Sequence, residues 1–97
     1  DIIGRDYYEN DASKYHFSLI SDFDALYNLT NGKKIITLSE CGALPEIGNM
    51  MQGGDMWSWF MPWNGDFMYA PYNDDAFFNA QMNSKYVISR DELPSWK

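Results

Sequence analysis

Glu40 closes the segment KKIITLSE, residues 33–40, and is the residue in this sequence best placed to do chemistry. Ile35, Ile36, Thr37 and Leu38 before it form a continuous apolar run, which is how a strand buried on both faces reads. A carboxylate ending such a strand is costly to bury unless paired or partly solvated, so the position calls for a chemical reason. Side chains alternate along a strand, so an inward Glu40 is expected to have Leu38 and Ile36 beneath it as two apolar layers. The same parity puts Gly4, Asp6 and Tyr8 on one face of an opening strand, and Trp57, Trp59, Met61 and Trp63 on one face of a third. A carboxylate, a phenol and an indole would then converge. A phenolic hydroxyl stabilises a charged carboxylate through a charge-assisted hydrogen bond, and an indole face packs against a pyranose ring. On pattern alone, an exposed loop glutamate and a core role for the tryptophans stand beside this reading.

The elements that must position these groups follow from periodicity and punctuation. Residues 1–8 predict a short strand running into a polar loop at 9–13. A helix is expected over 15–31, where Leu19, Ile20, Phe23, Leu26 and Tyr27 recur at three-and-four spacing and Asn31-Gly32 supplies a left-handed stop. The strand 33–40 follows at once. A weak helix over 45–52, with Pro45 at its first position, ends at Gly53-Gly54. Residues 56–61 predict a third strand, with Pro62 tolerated where the strand leaves the ladder. A last helix is expected over 73–82, with Asn73 as N-cap and Asp74 and Asp75 at its anion-favouring end, and then one short apolar piece, Tyr86-Val87-Ile88. Strands alternating with helices imply right-handed crossovers and a parallel sheet. Three strands are too few for a sheet covered on both faces, so further strands are expected upstream. In such an architecture the active site lies at the C-terminal ends of the strands, where Asp6 to Tyr8, Glu40 and Trp63 fall.

Composition removes several classes of function. The formal net charge of -7, with Lys and Arg totalling 7 in 97 residues, argues against a partner tracked through its phosphates, so no nucleic acid is expected. No apolar run approaches the roughly 20 residues needed to span a bilayer. The single cysteine, Cys41, excludes an internal disulfide, and one histidine leaves no zinc cluster to assemble from the usual ligands. Cys41 also lies beside Glu40, but His16, placed at the start of the first helix, is remote in pattern from the strand ends, which discounts a cysteine hydrolase. Asn64-Gly65-Asp66 lacks the acidic ladder of a calcium loop and reads as a turn.

Four segments in order, DIIGRDYY, KIITLSECG, WSWFMPWNGDF and YVISRDELP, resemble the C-terminal part of glycoside hydrolase family 26, a family of β-mannanases. The resemblance covers nearly the whole chain. It implies one unit over residues 1–97: the C-terminal fragment of a (β/α)8 TIM barrel, about strands six to eight with their helices, its N-terminal strands missing. By this resemblance Glu40 is the catalytic nucleophile. A Tyr closing strand six contacts it, and the Asp-x-Tyr pattern maps to Asp6 and Tyr8, with the adjacent Tyr7 as the alternative. The Trp closing strand eight, Trp63, floors the subsite holding the sugar being cleaved, and Trp59 is a further substrate-contacting candidate. The family's general acid/base, a Glu ending strand four, has no counterpart here, and Glu9, Glu46 and Glu92 lie in the wrong places to replace it. The implied activity is endo-acting, retaining hydrolysis of β-1,4-mannosidic bonds in mannan, glucomannan or galactomannan, without metal or organic cofactor. The implied setting is secreted, periplasmic or cell-surface. Two rivals are a β-glucanase or β-xylanase sharing the nucleophile, and a non-catalytic carbohydrate binder using Trp57, Trp59 and Trp63 as a platform.

Overall fold

The computed structural model describes residues 1–95, so the last two residues of the expected 1–97 unit lie outside it. The apolar segments form strands β1 (Ile2–Tyr7), β2 (Ile35–Cys41) and β3 (Phe60–Pro62), which pair in parallel in the order β1-β2-β3. Helix α1 (Ile20–Leu29) crosses from β1 to β2, α2 (Ile47–Gly53) lies between β2 and β3, and α3 (Asp75–Met82) follows. Asn31 and Gly32 end α1 in the left-handed region, with φ 51° and 65°, as their types predicted. A Cβ at Gly32 would come within 2.6 Å of the Tyr27 ring, so glycine is required there on both counts.

The core lies between the sheet and its helices. Ile36, Leu38 and Cys41 of β2 pack with Leu44, Ile47, Met50 and Trp57, flanked by Ile3 and Tyr7 of β1, Phe23 and Leu26 of α1, and Phe77 and Phe78 of α3. An Arg5–Asp22 ion pair at 2.9 Å ties β1 to α1 on that same side. The opposite face is polar at its centre. Thr37 and Ser39 share a hydrogen bond of 2.8 Å, and a Cβ on Gly4 would overlap the Ser39 hydroxyl, so Gly4 is what lets that pair lie under the neighbouring strand.

Several expectations need correction. Ile36 and Leu38 do not lie beneath Glu40; they face the helices, and Thr37 and Ser39 occupy the other face. The cause is a β-bulge. Arg5 pairs with Leu38 but Asp6 pairs with Glu40, so Ser39 is the extra residue and the alternation inverts before the acid. The third strand is shorter than 56–61, because the N–H groups of Met56 and Trp57 turn back to Gly54 and Asp55, both at 3.0 Å. Trp57 therefore leaves the expected face, packs edge-on against Phe23 at 5.2 Å and donates its indole N–H to Asp55 at 3.0 Å. Pro62 is compatible with β3 because bonding to β2 runs through Trp59, whose carbonyl accepts from Leu38, and Trp63, which donates to Cys41.

The first helix begins at Ile20, not near residue 15. His16 has φ 70°, and the buried Asp55 carboxylate accepts from the Ser18 hydroxyl at 2.5 Å and the Leu19 N–H at 2.9 Å, capping the helix from a distant loop. The last helix is capped by Asp74, whose carboxylate accepts from Phe77 N–H at 2.8 Å, and not by Asn73, which is fully buried. Tyr86-Val87-Ile88 forms no strand; a short 3-10 turn, Arg90–Glu92, follows it. Among the described residues no helix is long and apolar enough to cross a membrane.

Candidate active site

The C-terminal ends of the strands are stitched together beyond their last regular pairs. Gly42 N–H donates to Tyr7 carbonyl at 3.2 Å, and Trp63 N–H donates to Cys41 carbonyl at 2.8 Å. These two bonds bracket Glu40, fixing its backbone against both neighbouring strands. Because of the bulge, the half-buried Glu40 side chain lies on the open face, away from the helices.

Tyr8 meets it there. Its hydroxyl donates to Glu40 Oε2 at 2.9 Å, across 32 residues of sequence. The phenol's pKa is pushed up to about 12, first by loss of water around it, then by the bond to Glu40 and the nearby carboxylate charges, including Asp6. Tyr8 is therefore a neutral donor throughout the neutral range. Tyr7 points to the other side, donating to Glu9 Oε2 at 2.8 Å, and this bond is the main reason its own pKa is raised. Of the two tyrosines, Tyr8 is the one the fold brings to Glu40. Asp6 is exposed and stands opposite Glu40 in the strand register.

Trp63 and Trp59 are exposed at 42% and 46%, and Met61 between them at 46%, while Phe60 packs on the core; the alternation places both indoles on the open face with Glu40. Trp57, at 7%, is a core residue, so a platform of three tryptophans reduces to two.

The discounted groups stay discounted for physical reasons. Cys41 is fully buried and burial pushes its thiol up to about 12, which removes the thiolate needed for attack. His16 stacks on Phe77 at 3.7 Å, with Nδ1 2.6 Å from Leu44 carbonyl. Glu9 accepts from Asp11 N–H and from Tyr7, in that order of effect, and both hold its carboxyl below its ordinary value, the wrong direction for a proton donor. Glu92 is taken up in a capping box with Ser89. Among the described residues no group of three or more His, Cys, Asp or Glu side chains is arranged to hold a metal ion.

The part that two residues play beside the site was not legible in the sequence. Phe67 packs against Tyr8 with ring centroids 5.3 Å apart, and lies 3.1 Å from where a Gly42 side chain would be. Asn73 bonds the loops after β2 and β3 together. Phe67 ends the segment WSWFMPWNGDF and Asn73 stands at an expected helix start, but neither pattern points to a contact with Tyr8 or with the loop after β2.

The family model described as glycosyl hydrolase family 26 matches residues 1–92. Mannan endo-1,4-beta-mannosidase A of Piromyces sp is 35% identical over 97 residues, which are 99% of this chain and 15% of that protein. A solved β-mannanase from a symbiotic protist of the termite Reticulitermes speratus, complexed with gluco-manno-oligosaccharide, superposes with TM-score 0.85 at 33% identity, covering 99% of this chain and 28% of that one. A β-(1,4)-mannanase structure from Podospora anserina gives TM-score 0.85 at 32% identity, covering 95% and 20%. The chain thus spans well under a third of the relatives it matches, and its parallel α/β sheet matches part of their fold.

Proposed function

The chain belongs to glycosyl hydrolase family 26, and on that premise we propose that it is the part of a retaining endo-β-1,4-mannanase that carries the catalytic nucleophile, Glu40. In this reading β1, β2 and β3 are strands six, seven and eight of a (β/α)8 barrel. The observation that carries the proposal is the Tyr8 hydroxyl on Glu40 Oε2, 2.9 Å away, at the C-terminal end of the central strand. One carboxylate oxygen is held and the other, Oε1, is left to react.

Glu40 Oε1 attacks the anomeric carbon as the bond to the leaving glycosidic oxygen breaks, giving a covalent glycosyl-enzyme. A Glu from outside this segment protonates that oxygen, then removes a proton from the water that releases the sugar. Retention requires the two carboxyls to stand about 5 to 5.5 Å apart. Trp63 and Trp59 offer indole faces to the sugars on either side of the cut, and Asp6 borders the same cleft. The substrates are mannan, glucomannan or galactomannan. Polymers of this kind do not cross a bilayer, which supports a secreted, periplasmic or cell-surface setting.

The test is turnover of the full-length enzyme on mannan, barley β-glucan and xylan, beside its Glu40→Ala variant. The proposal expects mannan to be preferred and the variant to lose activity by several orders of magnitude while still folding. Preference for glucan or xylan would replace the specificity. Activity above about a tenth of wild type in the variant would remove Glu40 from the chemistry.

A further inference from the structure

The loop that follows Glu40 is buried, which is unusual for a connection. Cys41, Gly42, Ala43, Leu44 and Pro45 are all excluded from water, so their backbone groups must find partners inside the protein. Tyr7, Trp63 and His16 supply three of them, at Gly42 N–H, Cys41 carbonyl and Leu44 carbonyl, and Asn73 supplies two more, at Gly42 carbonyl and Leu44 N–H. It is 0% exposed, its Oδ1 accepts from Leu44 N–H at 2.8 Å, and its Nδ2 donates to Gly42 carbonyl at 2.9 Å and Phe67 carbonyl at 2.7 Å. Both amide hydrogens and the amide oxygen are engaged, which leaves the side chain one orientation.

Gly42 and Leu44 belong to the loop after β2, and Phe67 to the loop after β3. Two routes lead from this amide to the reacting carboxylate. One is the chain itself, from Gly42 back through Cys41 to Glu40. The other is Phe67, whose ring rests on Tyr8, whose hydroxyl in turn holds Glu40. We propose that Asn73 is a positioning residue: its buried amide clamps the two loops together and so sets where Glu40 and Tyr8 point. The inference rests on the reading of Glu40 as nucleophile, and its test separates the two.

The experiment compares full-length Glu40→Ala, Asn73→Ala and Asn73→Asp enzymes with wild type on a soluble mannan, each well below its own unfolding temperature. Misplacing a nucleophile by about 1 Å costs on the order of 100-fold in rate. Asn73→Ala is therefore expected to lower kcat about 30- to 100-fold, with KM changed less than about twofold because the sugar platform is untouched. Asn73→Asp tests the donors. When ionised it turns an oxygen toward two carbonyls, and when protonated it regains one donor and keeps its acceptor. Its kcat relative to wild type should rise as pH falls, a response that lost stability does not produce in a folded enzyme. Wild-type kcat in either variant, parallel losses in kcat and KM without the pH response, or failure of Asn73→Asp to fold would return Asn73 to a purely structural role while Glu40→Ala stays inactive. An active Glu40→Ala enzyme would instead overturn the site, and the clamp with it.

Discussion

Replacing Tyr8 by Phe removes one hydroxyl and leaves the ring on Phe67, so the expected effect is confined to the 2.9 Å bond to Glu40. A hydrogen bond to a charged partner contributes about 1.5–3 kcal/mol, and partial exposure of Tyr8 reduces that to about 1–2 kcal/mol, or roughly 5- to 30-fold. The two chemical steps do not share this equally. In the glycosyl-enzyme, Glu40 is a neutral ester and Oε2 is a weaker acceptor; in the step that releases the sugar the carboxylate regains its charge and the bond strengthens. Tyr8→Phe in the full-length enzyme should therefore slow hydrolysis of the intermediate by up to roughly 5- to 30-fold and leave its formation unslowed. With an aryl mannoside whose leaving group needs little acid assistance, stopped-flow absorbance should show a burst of phenolate, then a slow steady state. Loss of formation rate alone, with no burst, or unchanged kinetics in both steps, would refute the assigned role of the hydroxyl.

Trp63→Ala is expected to weaken oligosaccharide affinity and lower kcat together, as a lost ring platform removes contacts in ground and transition states alike; unchanged kinetics in a folded variant would return Trp63 to a packing role. Asp55→Ala strands the Ser18 hydroxyl, the Leu19 N–H and the Trp57 indole, and should destabilise the enzyme by about 3 kcal/mol in a denaturant melt, where an unchanged midpoint would contradict the capping argument. Residues 1–97 expressed alone should aggregate or fold only partly and release no reducing sugar from mannan. Among the described residues the β1 and β3 edges lack neighbours and Trp59, Met61 and Trp63 lie uncovered. A cooperative melt with turnover above the buffer control would oppose that view.

What the sequence showed and what it concealed divide along physical lines. The apolar run before Glu40 announced a central strand, and alternation on β1 put Asp6 and Tyr8 on the right face, because both signals are local. The bulge at Ser39 was invisible, since a bulge is a property of two paired strands and only β1 reveals it. It also changed what lies beneath Glu40, from two apolar layers to the Thr37–Ser39 pair. Trp57 misled for a similar reason: its type and spacing matched Trp59 and Trp63, but Asp55 turned the chain before the strand began. Asn73 looked like a helix cap because Asp74 and Asp75 follow it, and its three bonds to distant loops leave no trace in local pattern.

The most direct measurement of the central claim is where a covalent sugar is attached. A full-length enzyme treated with a 2-deoxy-2-fluoro manno-configured donor bearing a good leaving group forms its glycosyl-enzyme and releases it slowly, so the adduct survives proteolysis and mass spectrometry. One added sugar is expected on the peptide containing Glu40, with fragment ions that assign it to that carboxylate and no adduct in Glu40→Ala. A sugar on any other residue, or full turnover of mannan with no covalent adduct at all, would contradict that expectation.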